Sequence, residues 1–282
     1  MSGAADRQAA PPARPAPALP GDYHVHTTFS DGDGTVEECV AQAASLGLPE
    51  IAIADHVSAV QTASWATASM PLALMERYVE EVHDAGARHA GIKVLLGLEA
   101  EYVPGHEAEL QALLSAWPFE VVVLGVHAVD GFAFDDPDLR GDPRWGDADA
   151  FLSAYYRTVR RAVESGRFDV LAHVDYISLW GHVPGPSVQP FIEAALDALA
   201  ASGAALELNT DRVTDPAGVM YPSPAILRAA RERDIPLVID SDAHEAAHVG
   251  RLWDEAMGLA RAAGYAGALR LSDHTVVPFP GA

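Results

Sequence analysis

Histidines and carboxylates recur in this chain at two-residue spacing. His24 with His26, Glu99 with Glu101, and Asp242 with His244 are such pairs. Asp55 and His56 are adjacent, and His127, His173 and Asn209 occupy comparable places in other apolar segments. Residues two apart in an extended strand point to the same side, so each pair can reach one ion. Imidazole nitrogen and carboxylate oxygen together suit Zn, Mn or Fe better than Ca or Mg, which prefer oxygen shells. Six of the 12 histidines fall in this pattern, more than one ion can use. Two or three divalent metal ions are therefore expected, with at least one bridging carboxylate. Asp55 points away from the His56 side and reads as support for a ligand. A single buried histidine is more often a hydrogen-bonded structural residue than a ligand, so the weight rests on the joint pattern. The other histidines keep that plain reading. His83 and His89 fall on a helix, and His106, His182, His248 and His274 fall in loops or near the terminus. For His182 and His248 a place at the mouth of the site stays open.

The elements that must position these residues are seven apolar segments of strand character, 22–26, 51–56, 93–102, 120–129, 169–176, 205–210 and 236–244. They are nearly continuous apolar runs, as expected for strands covered on both faces. Helical patterns lie between them at 36–46, 71–90, 107–116, 148–165, 188–201 and 223–233. Gly47, Gly91, Gly166 and Gly203 stand where a left-handed residue would close a helix. Repeated strand–helix alternation implies an α/β fold with parallel strands and right-handed crossovers. Seven such units in about 250 residues point to a barrel, and the strand count alone leaves a doubly wound open sheet as the alternative. In a parallel barrel the chemistry sits at the C-terminal ends of the strands, where these histidines and acids fall.

Composition narrows the partners. The chain has 282 residues, 49% hydrophobic, with Lys+Arg 18 against Asp+Glu 40 and a formal net charge of −22. That balance argues against coating nucleic acid or attraction to an anionic membrane. A phosphate-handling protein of this charge needs a local positive source, and bound metal would supply it. The single cysteine, Cys39, excludes a disulfide framework and Cys-based zinc sites. Residues 1–20 are rich in Pro and Ala and read as a disordered tail, leaving 21–282 as one domain. No signal-peptide core and no run of about 18 apolar residues is seen, so a cytoplasmic protein is expected.

The chain resembles the PHP (polymerase and histidinol phosphatase) metal-dependent phosphoesterases. The motifs that carry the resemblance are HVH with the following SDG, ADH, GVH and SDAH. The stretches GLEAEYVPG, WPFEVVVLGVH, GRFDVLAHVD, LELNT and MYPSPAILRAARERDIPLVIDSDAH are similar in order and spacing to the histidinol-phosphatase branch. The resemblance implies a distorted seven-stranded barrel and a trinuclear site. The first metal would take His24, His26, Glu99 and Asp242. The second would share Glu99 and add His127 and His173. The third would take His56, His244 and Asp31, although this branch often has a histidine one residue later, where this chain has Gly32. The implied activity is phosphomonoester hydrolysis, with L-histidinol phosphate favoured as the substrate. Another small phosphorylated metabolite or a nucleotide is the alternative, because HVDYISLWGH carries no Lys or Arg where related sequences have one. Arg212 is the candidate for holding the phosphoryl group. Asp242 or His244 would pass a proton to the leaving oxygen. Two roles are open to Glu101, a contact to a cationic substrate amine or a supporting carboxylate at the rim.

Overall fold

The structure is a computed structural model and describes residues 19–61, 68–166, 168–211 and 219–281. Its centre is a parallel sheet of β1 (Glu50–Ile53), β2 (His56–Ser58), β3 (Lys93–Glu101), β4 (Val121–Gly125), β7 (Val170–Leu171), β8 (Ala205–Asn209) and β9 (Leu237–Asp240). The order is β1-β3-β4-β7-β8-β9, and β2 continues β1 along the upper half of β3. The segment 22–26, expected as a strand, makes isolated bridges only. Asp22 pairs with Ile51 and Val25 with Ala243, both parallel. His26 N–H donates to Ala243 O at 2.9 Å, and Ala54 N–H donates to Val25 O at 2.8 Å. One extended segment thus joins the two edges, and the curled sheet becomes a distorted barrel.

The strands alternate as a doubly covered sheet requires. On β3, Leu96, Leu98 and Ala100 pack outward in the main core, whereas Leu95 belongs to a separate inner cluster. Val121, Val123, Val170, Ala205 and Val238 join Leu95 there, all near strand starts. Further along the same faces stand Glu99 and Glu101 on β3 and Glu207 and Asn209 on β8, and Asp242 follows the end of β9. The barrel interior therefore changes from apolar to titratable along its axis.

Helices α1 (Val36–Leu46), α2 (Met75–Arg88), α3 (Glu107–Ala116), α4 (Ala148–Glu164), α5 (Gln189–Ser202) and α6 (Pro224–Glu232) follow the sequence pattern closely. Helix α1 shows why its limits were legible. Thr35 and Glu38 form a reciprocal capping box, and Gly47 closes the helix at φ 75°. Gly203 closes α5 in the same way at φ 78°. Gly91 and Gly166 do not adopt positive φ. Helix α2 stops at Arg88 because His89 leaves the helix and turns its ring onto Glu37 at 2.7 Å.

Other strands are shorter than the apolar runs. The 120–129 run ends its parallel pairing at Gly125, and β5 (Ala128–Val129) turns back on β6 (Phe132–Ala133) as an antiparallel hairpin. In 169–176 only Val170 and Leu171 join the sheet, and His173 and Tyr176 beyond them line the cavity at the barrel mouth. Elements beyond those read from sequence include β6 and, at the C-terminal end, α7 (Trp253–Ala262), β10 (Gly267–Arg270) and β11 (Thr275–Pro278). The β10–β11 hairpin closes the bottom of the barrel. Leu269 and Leu271 enter the inner cluster, and Tyr23 Oη accepts from Leu271 N–H at 3.2 Å while donating to Glu50 at 2.9 Å. Leu19 and Pro20, at the end of the Pro/Ala-rich stretch, are buried, and residues 1–18 lie outside the described residues. No helix among the described residues is long and apolar enough to cross a membrane.

Candidate metal centre

Glu99 stands at the middle of the upper barrel, 1% exposed. One oxygen, Oε2, faces His24 Nε2 at 3.3 Å, His26 Nε2 at 3.7 Å and His56 Nδ1 at 2.6 Å. The other, Oε1, faces His173 Nε2 at 3.3 Å and His127 Nε2 at 3.7 Å. Asp242 Oδ1 completes the first group, 3.1 Å from His26 Nε2 and 3.7 Å from His24 Nε2. A third group stands at the rim. Asp31 Oδ1 lies 3.4 Å from His244 Nε2, and Asp31 Oδ2 lies 3.7 Å from His56 Nε2. The nine residues read as metal ligands thus converge in three adjoining groups, and Glu99 belongs to the first two.

Buried polar atoms test whether metal fits here. His24 Nε2, His26 Nε2 and both Glu99 oxygens are fully buried and make no well-formed hydrogen bond. Leaving such atoms uncompensated is costly, and cations in the first two groups would satisfy all four. His24 with His26 and Asp242, His56 with Glu99 and His127, and His26 with Asp31, His56 and His244 each bring candidate ligand atoms within 4.8 Å of one another. The donor set of imidazoles and carboxylates is that of Zn, Fe or Mn.

Two glycines make the crowding possible. A Cβ at Gly125 would stand 2.5 Å from Glu99 Oε1 and 2.7 Å from His127 Cε1. A Cβ at Gly32 would stand 2.7 Å from the carbonyl of His26. This path of the 31–33 loop therefore excludes a histidine at position 32 and puts the carboxylate of Asp31 beside His56 and His244.

Electrostatics follow from the packing. Burial alone would raise Glu99, but His56, His24 and His127 hold it well below the usual carboxylate range. Asp242 is held low in the same way by His24, His26 and His244. Burial, with His56 and His244 nearby, pushes His26 down to about 3, which keeps its imidazole neutral. Burial opposes charge on His127 and His244 as well. Carboxylates outweigh it, Glu101 and Glu99 lifting His127 to about 10 and Asp31 and Asp242 lifting His244 to about 9.

Supporting carboxylates surround these groups. Glu101 uses both oxygens on one residue, accepting His127 N–H at 3.1 Å and facing its Nδ1 at 2.5 Å. That geometry favours the supporting role over a substrate contact. Asp55 accepts from Thr27 N–H at 2.8 Å and Ser30 Oγ at 2.5 Å, anchoring the loop that carries Asp31. Glu207 is a supporting residue that sequence reasoning missed. It faces His24 Nδ1 at 2.6 Å. Neither His182, which stacks on Trp145, nor His248, which faces Arg251, lines the central cavity. Arg212 lies outside the described residues.

The cavity above the three groups has a volume of about 700 Å³. His56, His127, His173, Asp242 and His244 form part of its lining. Asp33, Asp135, Asp136, Asp211 and Glu245 add negative charge around it, with Tyr176 and Tyr221 on the wall.

Comparison with known proteins now decides the family. The PHP domain matches residues 22–211, and a PHP-associated region matches residues 225–256. The chain belongs to the PHP domain family. Among PHP relatives it is 33% identical to a probable histidinol-phosphatase of Deinococcus radiodurans, over 81% of this chain and 88% of that protein. It is 23% identical to the histidinol-phosphatase of Bacillus subtilis, over 83% of this chain and 96% of that protein. The crystal structure of histidinol phosphate phosphatase from Lactococcus lactis, complexed with zinc, L-histidinol and phosphate, shares the fold. Its TM-score is 0.71 at 23% identity, covering 87% of this chain and 94% of that one.

Proposed function

We propose that this chain is a metal-dependent phosphomonoesterase that converts L-histidinol phosphate and water to L-histidinol and phosphate. The observation that carries the reading is the convergence of three ligand groups around Glu99 at the floor of a small cavity. The first ion is assigned to His24, His26, Glu99 and Asp242, the second to Glu99, His127 and His173, and the third to Asp31, His56 and His244. When bound, such ions neutralise phosphoryl oxygens and lower the pKa of a water enough to make it a nucleophile near neutral pH.

The chain's own residues do the rest. Glu101 and Glu207 accept from the Nδ1–H of His127 and His24, which fixes the tautomers and points Nε2 at the centre. His244 Nδ1 faces the Asp242 carbonyl at 3.1 Å and its Nε2 faces Asp31, so both ring nitrogens are engaged. The Asp242 carboxylate, ionised and bordering the cavity, is placed to take the proton released by the attacking water and pass it to the leaving oxygen. Asn209 Nδ2 donates to Asp242 Oδ2 at 2.8 Å and holds that carboxylate in place.

The acidic lining favours a leaving group that is cationic, as histidinol is, over a nucleotide. The relatives named histidinol-phosphatase support the same choice. Among the described residues no Lys or Arg lines the cavity, which keeps another small phosphate ester with a cationic part as the second reading. Phosphate release from L-histidinol phosphate, a nucleoside monophosphate and a sugar phosphate separates these. The reading expects kcat/KM to be highest for L-histidinol phosphate and to vanish in His26→Ala. Equal or better turnover of the nucleotide would overturn the substrate assignment.

A further inference from the structure

Glu207 is fully buried on β8, on the inner face and one step below Asn209. Three donors converge on its two oxygens. Oε1 lies 2.6 Å from His24 Nδ1. Oε2 accepts His173 N–H at 2.7 Å and Asn209 Nδ2–H at 3.0 Å. The Asn209 orientation is fixed from the other end, because its Oδ1 accepts Asp211 N–H at 2.8 Å. Its amide nitrogen therefore faces both Glu207 and Asp242. A single carboxylate touches the ring of His24, the backbone of His173 and, through Asn209, the side chain of Asp242.

We infer that Glu207 is a positioning residue that ties together ligands of two metal ions, setting the His24 tautomer and the placement of Asp242 at once. The inference rests on the metal assignment made above. The chemistry is specific to a carboxylate. All three neighbours donate, and a glutamine offers only one accepting oxygen. With its NH2 toward His24, the ring must take the opposite tautomer, and Nε2 then carries a proton where a ligand lone pair is needed. With its NH2 toward His173 and Asn209, donor meets donor and Asn209 is pushed off Asp242. Either orientation of Glu207→Gln weakens a metal ligand, although the side chain keeps its size.

The test compares wild type, Glu207→Gln and Glu50→Gln in Zn²⁺ alone. Each protein is dialysed against chelator-buffered zinc, and bound ions per chain are counted by elemental analysis. Circular dichroism of the metal-free proteins checks the fold. Glu50 is the control, a buried carboxylate at the opposite end of the barrel, held by Tyr23 and Ser272. Glu207→Gln is expected to need about 10–100-fold more free zinc to fill one of its sites, the usual cost of losing a ligand's supporting partner. Glu50→Gln is expected to bind as wild type does. Zinc curves for Glu207→Gln and wild type that superimpose, or an equal shift in Glu50→Gln, overturn the inference. Asn209→Ala leaves Glu207 in place and cuts its link to Asp242. It is expected to loosen one ion by a smaller factor, and no change there overturns the coupling even if Glu207→Gln does not fold. Wild type that binds no zinc would instead overturn the metal assignment itself.

Discussion

Gly125→Ala places one methyl group at the centre of the site. Gly125 ends β4 without a positive φ, so alanine suits its backbone. The new Cβ would stand 2.5 Å from Glu99 Oε1 and 2.7 Å from His127 Cε1. Relief to ordinary contact near 3.5 Å needs a combined shift of about 1 Å. An exposed glutamate would swing aside, but Glu99 is enclosed by His24, His26 and His56 on its other oxygen. Overpacking of this kind costs about 1–3 kcal/mol. The larger effect is on metal, because ligand distances tolerate only about ±0.2 Å. Gly125→Ala should therefore fold with a modestly lower Tm yet lose most zinc held between Glu99, His127 and His173. Ions per chain and phosphate release, measured beside Gly258→Ala, check this, since a Cβ at Gly258 meets nothing within 4 Å. Gly125→Ala with full metal content and undiminished turnover would refute the placement of Glu99 between two ions.

Other consequences follow from the same geometry. In the metal-free protein His127 near 10 and His244 near 9 carry protons at pH 7.5, so zinc binding there should release protons and tighten as pH rises toward 9. Calorimetry in buffers of different ionisation enthalpy reads this, and binding without proton release would contradict it. Both folded pKa values lie above the unfolded value of about 6.5, so their stabilising contribution is complete below that pH and is lost as pH rises through 9 to 10. The Tm of the metal-free protein should accordingly fall across that window. Asp31→Ala should lose one zinc per chain while the ions around Glu99 remain, and unchanged stoichiometry in elemental analysis would remove Asp31 from the site. Leu269→Ala, in the hairpin that plugs the barrel bottom, should cost about 2–5 kcal/mol in denaturant unfolding with zinc content unchanged.

The ligand positions were legible because a strand's period of two is strict. Once 93–102 is a strand, Glu99 and Glu101 must share a face; the strand read at 236–244 ends at Asp240, and Asp242 at φ 48° and His244 are placed by the loop that follows it. Helix limits were legible where caps are chemical, as at Thr35, Glu38 and Gly47. Glu207 was not, because its partner His24 is 183 residues away and nothing local marks a buried glutamate in LELNT as a histidine's support. Strand lengths were overestimated in 120–129 and 169–176 for a related reason. Val126 and Val174 lie past the paired residues yet are buried in the main core, so burial kept the runs apolar beyond the ladder. The closing hairpin β10–β11 escaped notice because three of the four β11 residues are exposed and its packing rests on a few residues such as Ala268 and Leu269.

The central claim is that three ligand groups adjoin one another and that Glu99 joins the first two. Anomalous diffraction at the zinc edge, from crystals of the zinc-loaded protein, tests it most directly. The account expects one peak among His24, His26 and Asp242, one between His127 and His173, and one between Asp31, His56 and His244, with Glu99 touching the first two. Peaks elsewhere on the chain, or none within reach of Glu99, would contradict it.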